Sequence, residues 1–266
     1  MLSLQTQIGL VTCNQILMHT IVGTLSFGLM FYLLKKLIFI SKDSKTMHNI
    51  HSRIVSMTHG LLIILVTAYY LAKVEFSDNM QLTIFEVKIL TFSLSYFIYD
   101  IIGTTYYDMM DNKVLLHHVV AIIAIIFGLV LPDSNYLIIL NLFIGEISNP
   151  AMNLRYFCRF YGMKHTYLYE LIDIMYMATY TLFRGLSPFI ILPMYFKYRI
   201  NYGLLAFSLI ILFQSYYFIS RMFKIFENKV SEYKCRHQQN IHYFWFSVNH
   251  EVEQLRYIKK NDDALW

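Results

Sequence analysis

Charge is what this sequence has least of. Of its 266 residues only 15% are Asp, Glu, Lys or Arg, where a soluble domain carries about 25%. So few charges cannot cover a soluble core of this size, which excludes an ordinary water-soluble domain and leaves a polytopic membrane protein. Cysteine is also scarce. Cys13, Cys158 and Cys235 are odd in number and far apart, so neither a disulfide framework nor a zinc spacing is present. The first 18 residues hold no Lys or Arg. That removes the basic start of a cleaved signal peptide and argues against an Arg-rich presequence. Internal repeats and low-complexity linkers are lacking as well.

What is abundant is apolar and aromatic. Hydrophobic residues make up 57% of the chain, with 22 Tyr and 21 Phe, a load suited to lipid-facing surfaces and interfacial belts. The net charge of +5 lies mostly in connections and tail, so it reads as membrane topology and attraction to anionic lipid, not as nucleic-acid binding. Seven apolar stretches are long enough to cross a bilayer, which takes about 20 residues. They fall near residues 16–40, 53–73, 84–107, 114–132, 135–158, 168–195 and 202–222. Each is predicted helical, because lipid offers no partner to an open backbone. Pro132 is expected to end the fourth, and Asn201 with Gly203 to start the seventh. Pro150, Pro188 and Pro193 are expected to kink the helices they lie in. The organisation expected is a first helix and basic loop (1–49), a six-helix membrane domain (50–225) and a tail (226–266).

The basic residues divide unevenly between the two sides. Lys35, Lys36, Lys42, Lys45 and Arg53 share the first loop. Lys113, Arg155, Arg159 and Lys164 fall in later loops on the same side, and the tail adds Arg221, Lys224, Lys229, Lys234, Arg236, Arg256, Lys259 and Lys260. The opposite side has Lys73, Lys88, Lys197 and Arg199. Positive-inside bias then places the N-terminus in the lumen and the tail in the cytosol. The tail carries an aromatic knot at residues 242–246. It reads either as a segment lying on the membrane surface or as a solvated tail with one sticky stretch.

With that orientation, polar groups from five spans fall at similar depth. At about 1.5 Å of rise per residue, His59 and Asp100 lie roughly 10 Å in from the cytosolic side. His117 and His118 lie nearer the surface, Glu146 and Asn149 deeper, and Glu170 and Asp173 shallow. A polar cavity in the cytosolic half of the bundle is the expectation. Each member also has a plainer reading. His117 and His118 can snorkel to water. Ser52, Ser56 and His59 share one helix face and serve equally as interhelical contacts or as cavity lining. Glu170 and Asp173 are ordinary interfacial charges, and Arg184 is a structural ion pair with Glu146 or Asp173. Ionisable groups inside membrane segments are costly and usually face a protein interior, which favours Asp100 as a site residue. A neutral imidazole can act as base or nucleophile, and a carboxylate can fix its tautomer. Successive residues point about 100° apart on a helix, so one of His117 and His118 would do the chemistry while the other binds. The same divergence, with no H-x-x-x-H cluster, argues against a metal.

These residues also carry a resemblance. Ser52-Arg-Ile-Val-Ser56 with His59, Tyr96-Phe-Ile-Tyr-Asp100, Leu116-His-His118, Gly145-Glu-Ile-Ser-Asn-Pro150 followed by Arg155, and Arg184 with Pro188 together resemble the TLC-domain family of multipass membrane proteins, which includes the ceramide synthases. The resemblance covers about residues 50–225. It implies an all-α fold in which helices two to seven form a barrel around a lipid cavity, with the first helix peripheral. Depth and side-chain chemistry give the expected site: His117, His118 and Asp100 as catalytic, and Ser56, His59, Glu146, Asn149, Asp173 and Arg184 as polar lining. The ceramide synthases carry H-D-x-S-D-x-x-L-E where this chain has Glu146, Asn149 and Asn153, so one carboxylate remains and two have become amides. That departure brings the chain closer to the TLC-domain-containing branch associated with membrane lipid composition.

Three functions follow as expectations. One is a lipid enzyme transferring an acyl group through His117 or His118, with acyl-CoA as candidate donor and no covalently bound cofactor. The second binds or regulates membrane lipids without turnover. The third is a structural subunit among other membrane proteins of a larger complex. The membrane expected is the endoplasmic reticulum or another internal organelle. A seven-helix receptor is disfavoured, because the third span ends Thr105-Tyr-Tyr-Asp108 without an acidic-Arg-Tyr switch and the seventh holds no Lys for a retinal.

Overall fold

The computed structural model describes residues 13–38, 43–75, 82–130, 135–197 and 201–249. Within them the secondary structure is helical throughout. The helices are α1 (Cys13–Leu37), α2 (Ser44–Lys73), α3 (Ile84–Tyr106), α4 (Asn112–Val130), α5 (Asn135–Glu146), α6 (Asn149–Phe160), α7 (Tyr167–Lys197) and α8 (Tyr202–Gln238). The fold is all-α and polytopic, as the composition requires. Pro132 and the end of the tail from 250 lie outside the described residues.

Several boundaries differ from the predicted spans, each for a local reason. Helix α2 begins at Ser44, well before Arg53. Asp43 caps it by accepting from the Thr46 N–H at 2.8 Å, an N-cap that a hydropathy reading passes over. The fifth span is two helices. α5 stops at Glu146 and α6 restarts at Asn149, with Pro150 in its first turn, where a missing N–H costs nothing. Pro188 and Pro193 lie inside α7, whose helix continues through both. The Asn201 side chain accepts from Gly203 N–H at 2.7 Å at the start of α8. α8 then runs on to Gln238, far past the predicted end at 222, so the first part of the tail is helix.

Five stretches are long and apolar enough to cross a membrane unaided: α1, α2, α4, residues 135–160 and α8. α3 and α7 fall short because they carry polar groups. Glu86, Thr91, Ser93, Ser95 and Asp100 are all buried on α3, and Asp173 is fully buried on α7. Outward side chains such as Leu25, Leu65 and Phe213 are more than 60% exposed, a surface suited to lipid and costly in water.

The chain divides into two compact units, 1–147 with 187–211, and 148–186 with 212–266. In the first, α3 is central and packs with α1, α2, α4 and α5. Gly23 of α1 crosses α3 at Ser95 so closely that a Cβ there would sit 2.4 Å from Ser95 Oγ. Ser95 Oγ donates to Thr20 O at 3.1 Å, and Thr24 Oγ1 donates to Ser95 O at 3.3 Å. Small residues that let backbones approach, with hydroxyls bonded across, are the usual helix contact in lipid. At the other end of α3, Thr83 and Glu86 form a capping box, and Tyr70 of α2 donates to the buried Glu86 carboxylate. In the second unit, α7 packs on α6 through Cys158, Tyr169 and Ile172 and on α8 through Tyr180, Ile219 and Met222.

Candidate functional site

The first unit gathers two carboxylate–histidine pairs in its interior. His118, from the first turns of α4, brings Nδ1 to 3.2 Å from Asp100 Oδ2, near the end of α3. Both side chains are about nine-tenths buried. Ser52 Oγ donates to the other Asp100 oxygen at 3.4 Å. His59 of α2 is wholly buried, with Nδ1 3.7 Å from Glu146 Oε2 and Nε2 3.3 Å from Ser93 Oγ. Tyr96 lies between the pairs. Its ring stacks on His59 at 4.0 Å with 10° between planes and meets His118 edge-on at 6.4 Å, while its hydroxyl hydrogen-bonds Ser56.

The α-helix explains the convergence. Ser93, Tyr96, Phe97 and Asp100 recur at spacings of three and four, so α3 turns one polar-aromatic face inward. Ser52, Ser56 and His59 form the matching face on α2. Four residues separate Asp100 from Tyr96, which makes Tyr96 a member that the periodicity could have identified and the residue-type search did not. Phe27 of α1 was also missed. It is buried among Tyr96, Tyr99 and the edge of His59, with ring centroids 5.6–6.1 Å apart, and in sequence it is one Phe among many on an apolar helix.

The predicted site residues are drawn from both units. His59, Asp100, His118 and Glu146 come together in the first, with Ser56 reaching them through Tyr96. His117 is half-buried, its ring centroid 5.7 Å from that of His118 and tilted 51°. Asn149, Asp173 and Arg184 belong to the second unit. There Asp173, fully buried, is ion-paired with Arg155 and with Lys229, the latter at 2.7 Å. Arg184 lies over the Tyr180 ring at 4.9 Å. Asn149 O accepts from Asn153 Nδ2 at 3.1 Å, a bond along one helix turn. Among the described residues, no three His, Cys, Asp or Glu side chains gather as a metal would need.

Chemically, an imidazole whose Nδ1 faces a carboxylate carries its proton there when neutral, which leaves Nε2 as the free lone pair. The 3.2 Å approach of His118 Nδ1 to Asp100 is an ion-pair contact and not an aligned hydrogen bond. Each of the two histidines therefore has a carboxylate oxygen within 4 Å of its Nδ1.

A family model, the TLC domain, matches residues 49–247. It takes in α2 to α8 and the aromatic knot, and it leaves α1 outside. No solved structure matches the chain. With both histidine–carboxylate pairs inside a match that covers most of its length, the chain belongs to the TLC-domain family of multipass membrane proteins.

Proposed function

We propose that this protein acts on membrane lipids and that the first unit's interior is an acyl-transfer site with His118 as nucleophile. The observation that carries the reading is the buried His118–Asp100 pair at 3.2 Å. His118 Nε2 attacks the carbonyl of a thioester, with acyl-CoA as the donor class. The thiolate leaves and the acyl group rests on the ring, whose positive charge Asp100 balances. An amine or hydroxyl of the acceptor lipid then attacks the acyl carbon, the C–N bond to His118 breaks, and the acceptor's proton ends on the thiol. His59, backed by Glu146, stands one aromatic ring away and serves as the base that passes that proton. His117 binds rather than reacts.

In lipid nanodiscs supplied with acyl-labelled CoA thioester, the protein is expected to acquire a hydroxylamine-sensitive label. His118→Ala should abolish it, and Asp100→Asn should slow turnover by about 10² or more. If His118→Ala leaves both lipid turnover and lipid retention unchanged, the site assignment is wrong.

A second reading has its own support. Glu146, the one acidic group kept at its motif, pairs with His59, and Asn153 turns its amide into its own helix. A lipid-binding protein without turnover, or a subunit of a larger membrane assembly, would keep such a core. Native mass after extraction in mild detergent separates the readings. A small particle carrying lipid or an acyl adduct supports an enzyme or carrier. A stable assembly with many other chains supports the subunit.

A further inference from the structure

The aromatic knot of the tail is folded, and its form points to a ligand. Beyond α8 the chain reverses, with Asn240 at φ 54°, and Tyr243 is buried to 3% exposure. The Arg236 guanidinium lies 3.5 Å from the centre of the Tyr243 ring, and the Tyr243 hydroxyl donates to Glu232. Arg236 also pairs with Glu170 at 2.8 Å. The Tyr167 N–H, at the start of α7, donates to Phe244 O at 3.0 Å. The knot is thus fastened by backbone and side chain to the turn that joins α6 to α7.

Held this way, the remaining aromatics face outward. Phe244, Trp245, Phe246 and Tyr161 are 52%, 58%, 73% and 59% exposed, with Trp245 against Tyr167 at 5.6 Å. Two observations identify what meets them. First, residues 135–160 are long and apolar enough to cross a membrane, and the turn at 161–166 follows directly on their end. α7 starts from this turn at Tyr167 and has 31 residues, or about 46 Å of helix, against about 40–45 Å for a bilayer with its headgroups. Second, the charges around the turn are net basic, with Arg155, Arg159, Lys164, Lys229 and Arg236 set against Asp173, Glu170 and Glu232. Lys164 in this turn is held below the usual lysine range by burial and then by Arg159, Lys229 and Arg155, with Glu232 opposing.

We propose that the knot at 243–246 and the turn at 161–167 form one docking surface for the headgroup layer of the protein's own bilayer, with the aromatic rings inserted at the interface and Arg159 and Lys164 selecting anionic phospholipid. Aromatic rings favour this depth, and basic residues close to an anionic surface contribute about 1 kcal/mol each.

The chain has two tryptophans, so full-length protein carrying Trp266→Phe reports on Trp245 alone. In nanodiscs, its emission should be blue-shifted and quenched by phospholipid brominated near the headgroup more than by lipid brominated near the chain end. The quenching should grow as phosphatidylserine replaces phosphatidylcholine. Trp245 emission that acrylamide quenches and brominated lipid does not would overturn the proposal, as would a Trp245 shielded from both. The double variant Arg159→Gln, Lys164→Gln should keep the quenching and lose its dependence on phosphatidylserine. An unchanged dependence would remove the headgroup selection.

Discussion

Asp173 shows how a single side chain is decided by what it meets. By residue type it could line a lipid site or sit at the interface. In the fold it is fully buried between Arg155, itself 7% exposed, and Lys229. Two cations brought that close out of water need the carboxylate, because an unpaired buried charge costs far more than the pair returns. Asp173→Ala is therefore expected to destabilise the protein by about 3 kcal/mol, read as a lowered unfolding midpoint in detergent. Lys229→Ala should cost under about 1 kcal/mol, since Lys229 is partly solvated and Arg155 still neutralises the carboxylate. Equal losses from the two would refute this account. His118 and Asp100 make the contrasting case, a buried pair of one imidazole with one carboxylate at 3.2 Å.

At the scale of elements, α1 is the instructive helix. It precedes the family match, and its outer face is lipid-type leucine and methionine. Yet Thr20, Phe27 and Phe31 are buried, and Phe27 forms part of the wall behind His59 and Tyr96. Gly23 makes this possible by allowing the backbone onto Ser95. Gly23→Val is expected to push α1 from α3 at a cost of about 1–3 kcal/mol and to make α1 more open to proteolysis. Gly28, where an added Cβ meets nothing within 4 Å, is the matched control, and Gly28→Val should change neither reading. If the two variants behave alike, α1 does not depend on that crossing.

For the molecule as a whole, the distribution of lysine and arginine predicts an orientation. We expect the N-terminus in the lumen and the C-terminus in the cytosol, with the basic loop at 35–53 on the cytosolic side as well. An acceptor sequence for N-glycosylation should be modified when appended before residue 1 and unmodified when appended after residue 266. The reverse pattern would invert the depth of the histidine site and put the knot at 243–246 on the lumenal leaflet.

The sequence by itself determined that this is a helical membrane protein, where most helices lie, and that His59, Asp100, His118 and Glu146 are unusual. Those conclusions need only hydropathy, helix rise and the cost of charge in lipid, all of which are local. Helix ends were less legible, because Asp43, the restart of α6 at Asn149 and the long run of α8 depend on capping and tertiary support. Only the tertiary structure decided who pairs with whom. A helix face fixes which residues share a side, but not which neighbouring helix they meet. So the pairing of His118 with Asp100, of His59 with Glu146, and of Asp173 with Arg155 and Lys229 could not be read from depth. The places of Tyr96 and Phe27, and the fastening of the aromatic knot to α7, likewise come from contacts between residues far apart in the chain.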